Sequence, residues 1–319
     1  MQDAPLHDAI ARAPRGGRAF WLKAADGLRL RIGHWPGPAA PRGTVFLLPG
    51  RTEYVEKYGP TAAAFAARGY GLLAIDWRGQ GLADRLLDDP LKGHVGRFSD
   101  YQLDLAAVEQ AAAALDLPRP WFLLAHSMGG TIGLRRLMSP HPYAAAAFSA
   151  PMWNINLPAP LRPIARRLAQ ILPARAYVPS TRATTYVFAE SFAANQLTGD
   201  PAGWAFLIDQ LAAVPGLALA GPTCGWLATA LAECAALAPL ASPALPALCA
   251  LGTRETVVQP AAIHARMARW PGARLDLLPD ARHEPMMEGA AIRARFHDAC
   301  AALFDAARPP SDLPKYPRG

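Results

Sequence analysis

Short apolar runs recur along the chain and alternate with amphipathic segments. The runs at 44–48, 70–75, 121–125, 144–148, 245–251 and 274–278 have the length and continuous apolar character of strands buried on both faces of a parallel sheet. Before them, 20–23 and 28–32 alternate in polarity around Asp26-Gly27, which predicts an antiparallel hairpin. Helical periodicity predicts helices at 61–68, 99–115, 128–138, 259–269 and 288–304, with Ser99 as a candidate N-cap. Strands alternating with helices predict an α/β fold, a mostly parallel central sheet with helices on both faces.

One region interrupts this alternation. From 152 to 240 the chain shows helical patches punctuated by prolines and no comparable strand signal. We interpret it as a helical lid inserted between a first core part, 1–151, and a second core part, 241–308, followed by a C-terminal tail at 309–319. Apolar residues of the lid, chiefly Trp153, Phe188, Phe192 and Trp204, are candidates to bind an acyl chain, and the alternative is that they pack the lid onto the core.

Composition narrows the class of protein. The chain has 319 residues, 52% of them hydrophobic, which is enough for a large core, and it lacks a continuous apolar stretch long enough to span a membrane. Its first residues do not resemble a signal peptide, so we expect a cytoplasmic protein. The net charge of +7 is scattered, which argues against nucleic acid; it would favour peripheral contact with anionic lipid at the inner face of the membrane, or serve only solubility. The oligomeric state is left open.

The cysteines and the rest of the chain give no indication of a metal or cofactor. The spacing of Cys224, Cys234, Cys249 and Cys300 fits neither a disulfide framework nor a metal site, so we expect buried thiols.

The strongest chemical signal lies at the end of the run 121–125. There Ala125-His126-Ser127-Met128-Gly129 places a serine between small residues, after a strand and before a helix. This is the pattern of a nucleophile elbow, a sharp turn that exposes a serine hydroxyl above the edge of a sheet. Ser127 is therefore the predicted nucleophile.

A serine nucleophile needs a histidine to accept its proton and a carboxylate to orient that histidine. Glu255 follows the run 245–251 and His283 follows the run 274–278, where the acid and the histidine are expected in the chain order serine, acid, histidine. Asp280 is the competing candidate for the acid, or a turn residue before His283.

The oxyanion of an acyl-transfer intermediate needs hydrogen-bond donors. The main-chain N–H groups of Met128, after the nucleophile, and of Arg51, in the loop after the run 44–48, are the predicted donors. The side chain of Arg51 would then face solvent or a substrate headgroup, or form a salt bridge with Glu53 or Glu56.

Several segments together resemble the lysophospholipase and monoacylglycerol lipase branch of the α/β-hydrolases, with bacterial lysophospholipases the most similar. They are Leu47-Leu48-Pro49-Gly50-Arg51-Thr52-Glu53 with Lys57-Tyr58, Asp76-Trp77-Arg78-Gly79-Gln80-Gly81, the segment 89–101, the elbow 125–130, and His283-Glu284. The resemblance covers roughly 20–150 and 245–305. Glu255 departs from the family pattern, in which aspartate is usual.

The resemblance implies a serine hydrolase that cleaves a lysophospholipid or monoacylglycerol through an acyl-enzyme, without a cofactor. The alternatives are an esterase, thioesterase or acyltransferase acting on other acyl compounds, and a non-catalytic binding protein of the same fold. Of the other polar residues in these segments, Asp76, Arg78 and His94 are interpreted as braces of their loops. His126 is expected to pack beneath the elbow.

Overall fold

A nine-stranded sheet forms the centre of the molecule, and a computed structural model describes residues 1–157, 167, 171–179, 181 and 183–308. The strands in chain order are β1 Gln2–Ala4, β2 Arg18–Lys23, β3 Arg29–Trp35, β4 Thr44–Leu48, β5 Gly71–Asp76, β6 Trp121–His126, β7 Tyr143–Ser149, β8 Ala247–Gly252 and β9 Arg274–Leu278. Their order across the sheet is β1-β2-β3-β5-β4-β6-β7-β8-β9. Pairing is antiparallel from β1 to β5 and parallel from β5 to β9.

The strand predictions are confirmed, with shifts of one to three residues at most ends. The strand β1 was not predicted because it is short, polar and largely exposed, so its sequence carries no alternation. It joins the sheet through main-chain pairing with β2.

Helices cover both faces of the sheet. They are Asp8–Ala11, Gly59–Ala66, Asp100–Ala114, Met128–Leu137, Tyr186–Ala189, Pro201–Ala213, Cys224–Leu237, Pro260–Met267 and Ala290–Ala306, with short 3-10 helices at Val55–Tyr58, Pro215–Leu217 and Pro285–Met287. Ser99 occupies the N-cap position of the third of them, as predicted, but its side chain makes no capping hydrogen bond.

The molecule has two apolar cores, one on each face of the sheet, because successive side chains of a strand point to opposite faces. Phe46 and Leu48 of β4 belong to one core, and Val45 and Leu47 belong to the other. Helices Asp100–Ala114, Met128–Leu137 and Pro260–Met267 bury residues in the first core. Helices Gly59–Ala66 and Ala290–Ala306 bury residues in the second, which confirms a sheet covered on both faces.

The segment interpreted as a lid lies between β7 and β8. Its described part contains three of the helices and no strand longer than an isolated bridge. Residues 158–166, 168–170, 180 and 182 of the segment, and the tail 309–319, lie outside the described residues. The four cysteines are free and buried. Within the described ranges, no helix is both long and apolar enough to cross a membrane.

A buried ion cluster joins the antiparallel hairpin to the parallel part of the sheet. Arg31 on β3 lies 2.7 Å from Asp76 at the end of β5 and 2.6 Å from Glu56, and all three side chains have no exposed surface. One guanidinium thus serves two carboxylates. Removal of the cation would leave both carboxylates buried and unpaired, which is far more costly than removal of an exposed pair.

We therefore expect Arg31→Met to lower the free energy of unfolding by about 3–5 kcal/mol. Urea denaturation followed by circular dichroism measures this. Arg29→Met is the matched control, because Arg29 lies on the same strand and pairs with Asp84 while both side chains are about half exposed. The control should cost about 0–1 kcal/mol. Equal losses for the two variants would contradict the role assigned to the buried cluster.

Candidate active site

Ser127 occupies a strained turn between β6 and the helix Met128–Leu137. Its φ of 48° and ψ of −117° lie in a region that residues with a side chain rarely adopt. The turn holds this shape because Ser127 N donates to Ser149 O, and Ser127 O accepts from Gly130 N and Met152 N. A Cβ at Gly129 would lie 2.1 Å from Leu48 O, so the helix can approach the sheet this closely only with glycine there.

The structure brings Ser127, His283 and Glu255 together in one hydrogen-bonded chain. His283 Nε2 lies 2.9 Å from Ser127 Oγ, and His283 Nδ1 lies 2.7 Å from Glu255 Oε2. The other oxygen of Glu255 accepts the main-chain N–H groups of Val257 and Val258. The carboxylate is thereby fixed in place at the end of β8, and the longer glutamate side chain reaches the histidine.

The electrostatic interactions between Glu255 and His283 favour a negative charge on the acid and a positive charge on the histidine. Burial by itself would lower the pKa of His283, but the charge of Glu255 and its hydrogen bond outweigh burial, and the pKa is raised. Burial would likewise raise the pKa of Glu255, yet His283 and the two main-chain donors lower it. Glu255 therefore stays ionised and stabilises an imidazolium at His283.

Asp280, the competing candidate for the acid, forms its hydrogen bond and its ion pair with residues other than His283. Its carboxylate pairs with Arg254 at 2.7 Å, and both side chains are mostly exposed. Its φ of 60° and the hydrogen bond from its main-chain N–H to Thr253 Oγ1 identify a turn residue. The structure thus offers Asp280 only the turn role that the sequence left open.

The loop after β4 comes next to Ser127 because β4 and β6 are neighbours in the sheet. In the sheet, β5 lies on one side of β4 and β6 lies on the other. The loops that follow β4 and β6 therefore run in opposite directions, and such a point leaves a crevice at the carboxyl ends of the two strands. The contact is close, since a Cβ at Gly50 would lie 3.0 Å from Ser127 Cβ.

Side chains of the next loop hold this oxyanion-loop candidate. Trp77 Nε1 donates to Pro49 O, and Gln80 both donates to Gly50 O and accepts from Thr52 N. Among the described residues, the main-chain N–H groups of Arg51 and Met128 donate to no protein acceptor. Both are therefore available to an oxyanion near Ser127.

The side chain of Arg51 forms neither of the salt bridges considered from the sequence. Glu53 pairs with Lys57 instead, and Glu56 pairs with Arg31. The guanidinium of Arg51 extends to the segment after Pro215–Leu217, where it donates to Ala220 O. It also lies over the ring of Trp226.

Sequence reasoning missed a buried ionic network behind His283. Lys57 Nζ lies 2.7 Å from both Glu53 and Glu284, and His126 Nε2 lies 3.4 Å from Glu53. Burial would raise the pKa of Glu53, but the charge of Lys57, the neighbouring His126, and hydrogen bonds from Lys57 and Tyr58 lower it to about 2. Tyr58 and Gly50 N also donate to Glu53, so the network supports the oxyanion loop. Its signal was present in the segments Lys57-Tyr58 and His283-Glu284, but the sequence analysis assigned no role to Lys57 or Glu284.

The same network contains the only described group of side chains with ligand atoms close enough together to hold a metal ion. It consists of Glu53, His126 and Glu284. The ammonium of Lys57 already lies against both carboxylates and supplies their positive partner. These residues therefore do not fit a metal ion.

The four lid residues proposed to bind an acyl chain occupy different environments. Trp153 and Trp204 are buried, Phe192 packs against the second core, and Phe188 is 48% exposed. Trp153 packs on Phe148 and lines a cavity of about 210 Å³. The other residues of this cavity are Asn154, Ile155, Leu157, Leu231, Cys234, Ala235, Ala238 and Ala262.

The residues interpreted as braces make loop contacts. Asp76 accepts from Val55 N and Leu82 N in addition to Arg31. Arg78 pairs with Asp26 and Asp104. The ring of His94 contacts Thr223 Oγ1, and His126 lies buried beneath the elbow with its Nδ1 3.0 Å from Ser149 O.

Comparison with known proteins identifies the family. Residues 39–290 match the model of the family described as Serine aminopeptidase, S33. Lysophospholipase L2 of Escherichia coli K12 is 34% identical over 283 residues, which cover 84% of this chain and 82% of that protein. Probable lysophospholipase L2 of Haemophilus influenzae is 29% identical over 86% of this chain and 87% of that protein.

Solved structures agree on the fold. A soluble variant of monoglyceride lipase from Saccharomyces cerevisiae in complex with a substrate analog superposes with a TM-score of 0.72 and 21% identity, over 90% of this chain and 95% of that one. Monoacylglycerol lipase of Paleococcus ferrophilus gives a TM-score of 0.66 at 18% identity, over 87% and 99%. The chain is therefore a serine hydrolase of the α/β-hydrolase fold and belongs to the family described as Serine aminopeptidase, S33.

Proposed function

We propose that this protein hydrolyses the carboxylic ester of single-acyl lipids, lysophospholipids or monoacylglycerols, with Ser127, His283 and Glu255 as its catalytic triad. The hydrogen-bonded chain from Ser127 Oγ through His283 to Glu255 carries the proposal, because it is the arrangement that activates a serine hydroxyl. The sequence relatives, which are lysophospholipases by name, support the substrate class.

In the acylation step, Ser127 Oγ attacks the ester carbonyl carbon while His283 Nε2 accepts the hydroxyl proton. Glu255 stabilises the imidazolium that forms at His283. The main-chain N–H groups of Arg51 and Met128 donate to the oxyanion of the tetrahedral intermediate, a contribution often larger than any other in such sites. Collapse of the intermediate breaks the ester C–O bond, and His283 returns its proton to the departing glycerol oxygen.

In the deacylation step, water takes the place of the alcohol. His283 accepts a proton from that water, which attacks the acyl-serine carbonyl, and then returns the proton to Ser127 Oγ as the fatty acid leaves. No cofactor enters either step. The lid candidates Trp153, Phe188, Phe192 and Trp204 would contact the acyl chain.

The position of the protein in the cell belongs to the same proposal. We place it in the cytoplasm, with peripheral contact at the inner face of the membrane, where single-acyl lipids would be available. The net charge of +7 supports attraction to anionic headgroups.

The rate of product release from a panel of substrates tests the proposed function. Lysophosphatidylcholine, 1-monoacylglycerol, short p-nitrophenyl esters, an acyl thioester and an aminoacyl p-nitroanilide are compared at equal enzyme concentration. We expect turnover of the long-chain lipids to exceed turnover of the rest in kcat/KM. Activity confined to short esters or to the thioester would favour the general esterase or thioesterase alternative. Cleavage of the anilide alone would indicate the peptidase activity that the family description names.

A further inference from the structure

The proposed mechanism uses the main-chain N–H of Arg51 and gives its guanidinium no role. The guanidinium lies in a partly buried position, with Nη2 donating to Ala220 O. Its Nε is buried and has no hydrogen-bond partner. The Cζ atom lies 5.4 Å from the ring centroid of Trp226, and a Cβ on Gly93 would lie 2.5 Å from Nη2. The group is thus held between the loop at Gly93 and the helix that contains Trp226, with several donors unused.

This arginine also lacks a carboxylate partner in the described part of the chain. The two acids nearest in sequence are committed to Lys57 and Arg31. The stretch 158–170, most of which lies outside the described residues, contains no aspartate or glutamate. Burial therefore lowers the pKa of Arg51 to about 10, opposed only by Tyr101 and Tyr177. A partly buried cation without an anion is costly, and an anionic ligand would remove that cost.

Comparison with Arg85 shows that this situation is not a general property of arginines here. Arg85 also has no carboxylate partner among the described residues, but its donors are used by the carbonyl groups of Gly79, Gly81 and Gly216. Arg51 has one such carbonyl partner. The two side chains support the same segment, 216–220, and differ in the donors left for a ligand.

Two other cationic groups lie near residues of the same region, Tyr177 and His94. Lys92 Nζ lies 5.2 Å from the ring centroid of Tyr177. The pKa of His94 is lowered mainly by burial, and the positive charge of the exposed Arg175 lowers it further. The nearby carboxylate of Asp89 accepts the hydroxyl of Tyr177. The local excess of positive charge favours an anion over a second cation.

The main-chain N–H and the guanidinium of Arg51 belong to one residue of the loop that lies against Ser127, so a single substrate bound there could contact both. An arginine has the same number of bonds between its main-chain nitrogen and its Cζ as a 1-acyl lysophospholipid has between its ester carbonyl carbon and its phosphorus. We propose that Arg51 binds the substrate at both points, with its main-chain N–H at the ester carbonyl oxygen and its guanidinium at the headgroup phosphate. This inference rests on the proposed function and names lysophospholipids as the preferred class among single-acyl lipids.

A substrate pair that differs in the phosphate tests the inference. kcat/KM is measured for 1-acyl lysophosphatidylcholine and for 1-monoacylglycerol with the same acyl chain, both in the same mixed micelles, for wild type and Arg51→Gln. The ratio of the two values should fall by about 10- to 100-fold in the variant, the range for loss of a charged hydrogen bond. Arg51→Lys should keep part of the preference, because it retains the charge and loses the planar fork. Inhibition by the product glycerophosphocholine should weaken in parallel.

Arg85→Gln is the matched control, since it loosens the same segment while removing a guanidinium whose two terminal nitrogens already donate to main-chain carbonyl groups. It should lower both substrates to a similar degree and leave their ratio within about twofold, the tolerance expected of a change remote from a substrate contact. The rate of fluorophosphonate labelling of Ser127 is measured on each variant to follow changes at the elbow. An equal fall for both substrates in Arg51→Gln would overturn the inference and leave the proposed function intact. A wild type that hydrolyses neither substrate would overturn both.

Discussion

Ser127→Ala is expected to reduce fatty acid release by about 10⁶-fold, the loss seen when a serine protease loses its nucleophile. The methyl group cannot attack a carbonyl, and no other hydroxyl is within hydrogen-bonding distance of His283 Nε2 in the described part of the chain. The thermal unfolding midpoint should change little, because the hydroxyl makes no packing contact on which the elbow depends. The measurement is fatty acid release from the preferred lipid, together with fluorophosphonate labelling, which should disappear.

The matched control for this variant is Ser149→Ala. Ser149 is buried directly beneath the elbow, and its hydroxyl lies 3.2 Å from His126 Nδ1. Loss of that hydroxyl removes one hydrogen bond, worth about 1 kcal/mol of stability, and should leave turnover within tenfold of wild type. Hydrolysis that persisted in Ser127→Ala would contradict the assignment of the nucleophile.

Glu255→Gln is expected to lower kcat by about 10⁴-fold, as the equivalent acid-to-amide change does in a serine protease. The carboxylate accepts from His283 Nδ1, so it fixes the tautomer in which Nε2 can receive the proton of Ser127. An amide at the same position can donate to Nδ1 and select the opposite tautomer. The measurement is single-turnover release of fatty acid at the pH optimum.

The pH profile gives an independent test of the same residue. Only neutral His283 can accept a proton, and its pKa is raised above the ordinary 6.5 because Glu255 outweighs burial. Wild-type kcat/KM should therefore fall as the pH drops through a midpoint above about 6.5. In Glu255→Gln the midpoint should move to lower pH, since burial is then opposed by fewer charges. A severe loss in Asp280→Asn with a mild loss in Glu255→Gln would move the acid to Asp280.

The positions of the strands and of the proposed triad followed from the sequence because they depend on local patterns. A buried parallel strand is a continuous apolar run, and the runs before Ser127, Glu255 and His283 appear as β6, β8 and β9. The chain order of an α/β-hydrolase then names the residues that should meet. Sequence position favoured Glu255, which follows the run that forms β8, and left Asp280 open as a competitor because it lies in the loop just before the histidine.

Contacts between segments far apart in the chain needed the tertiary structure. The bridge of Lys57 between Glu53 and Glu284 joins residues more than 200 positions apart, and neither partner carries a local sign of the other. The environment of Arg51 has the same origin, since Gly93, Ala220 and Trp226 come from other parts of the chain and meet it only in the folded structure. The segment 152–240 was the least predictable part, because its described helices do not alternate regularly with strands and its described apolar residues divide between core packing and surface.

By itself, the sequence determined the α/β architecture, the elbow at Ser127 and the loops in which its partners are found. Periodicity and turn chemistry act over a few residues, and the chain therefore carries them in readable form. The tertiary structure decided which carboxylate faces His283, which cation neutralises the acids behind it, and that no acid of the described residues pairs with the guanidinium of Arg51. These outcomes depend on distances between remote segments, which are set only when the sheet and its two layers of helices pack together.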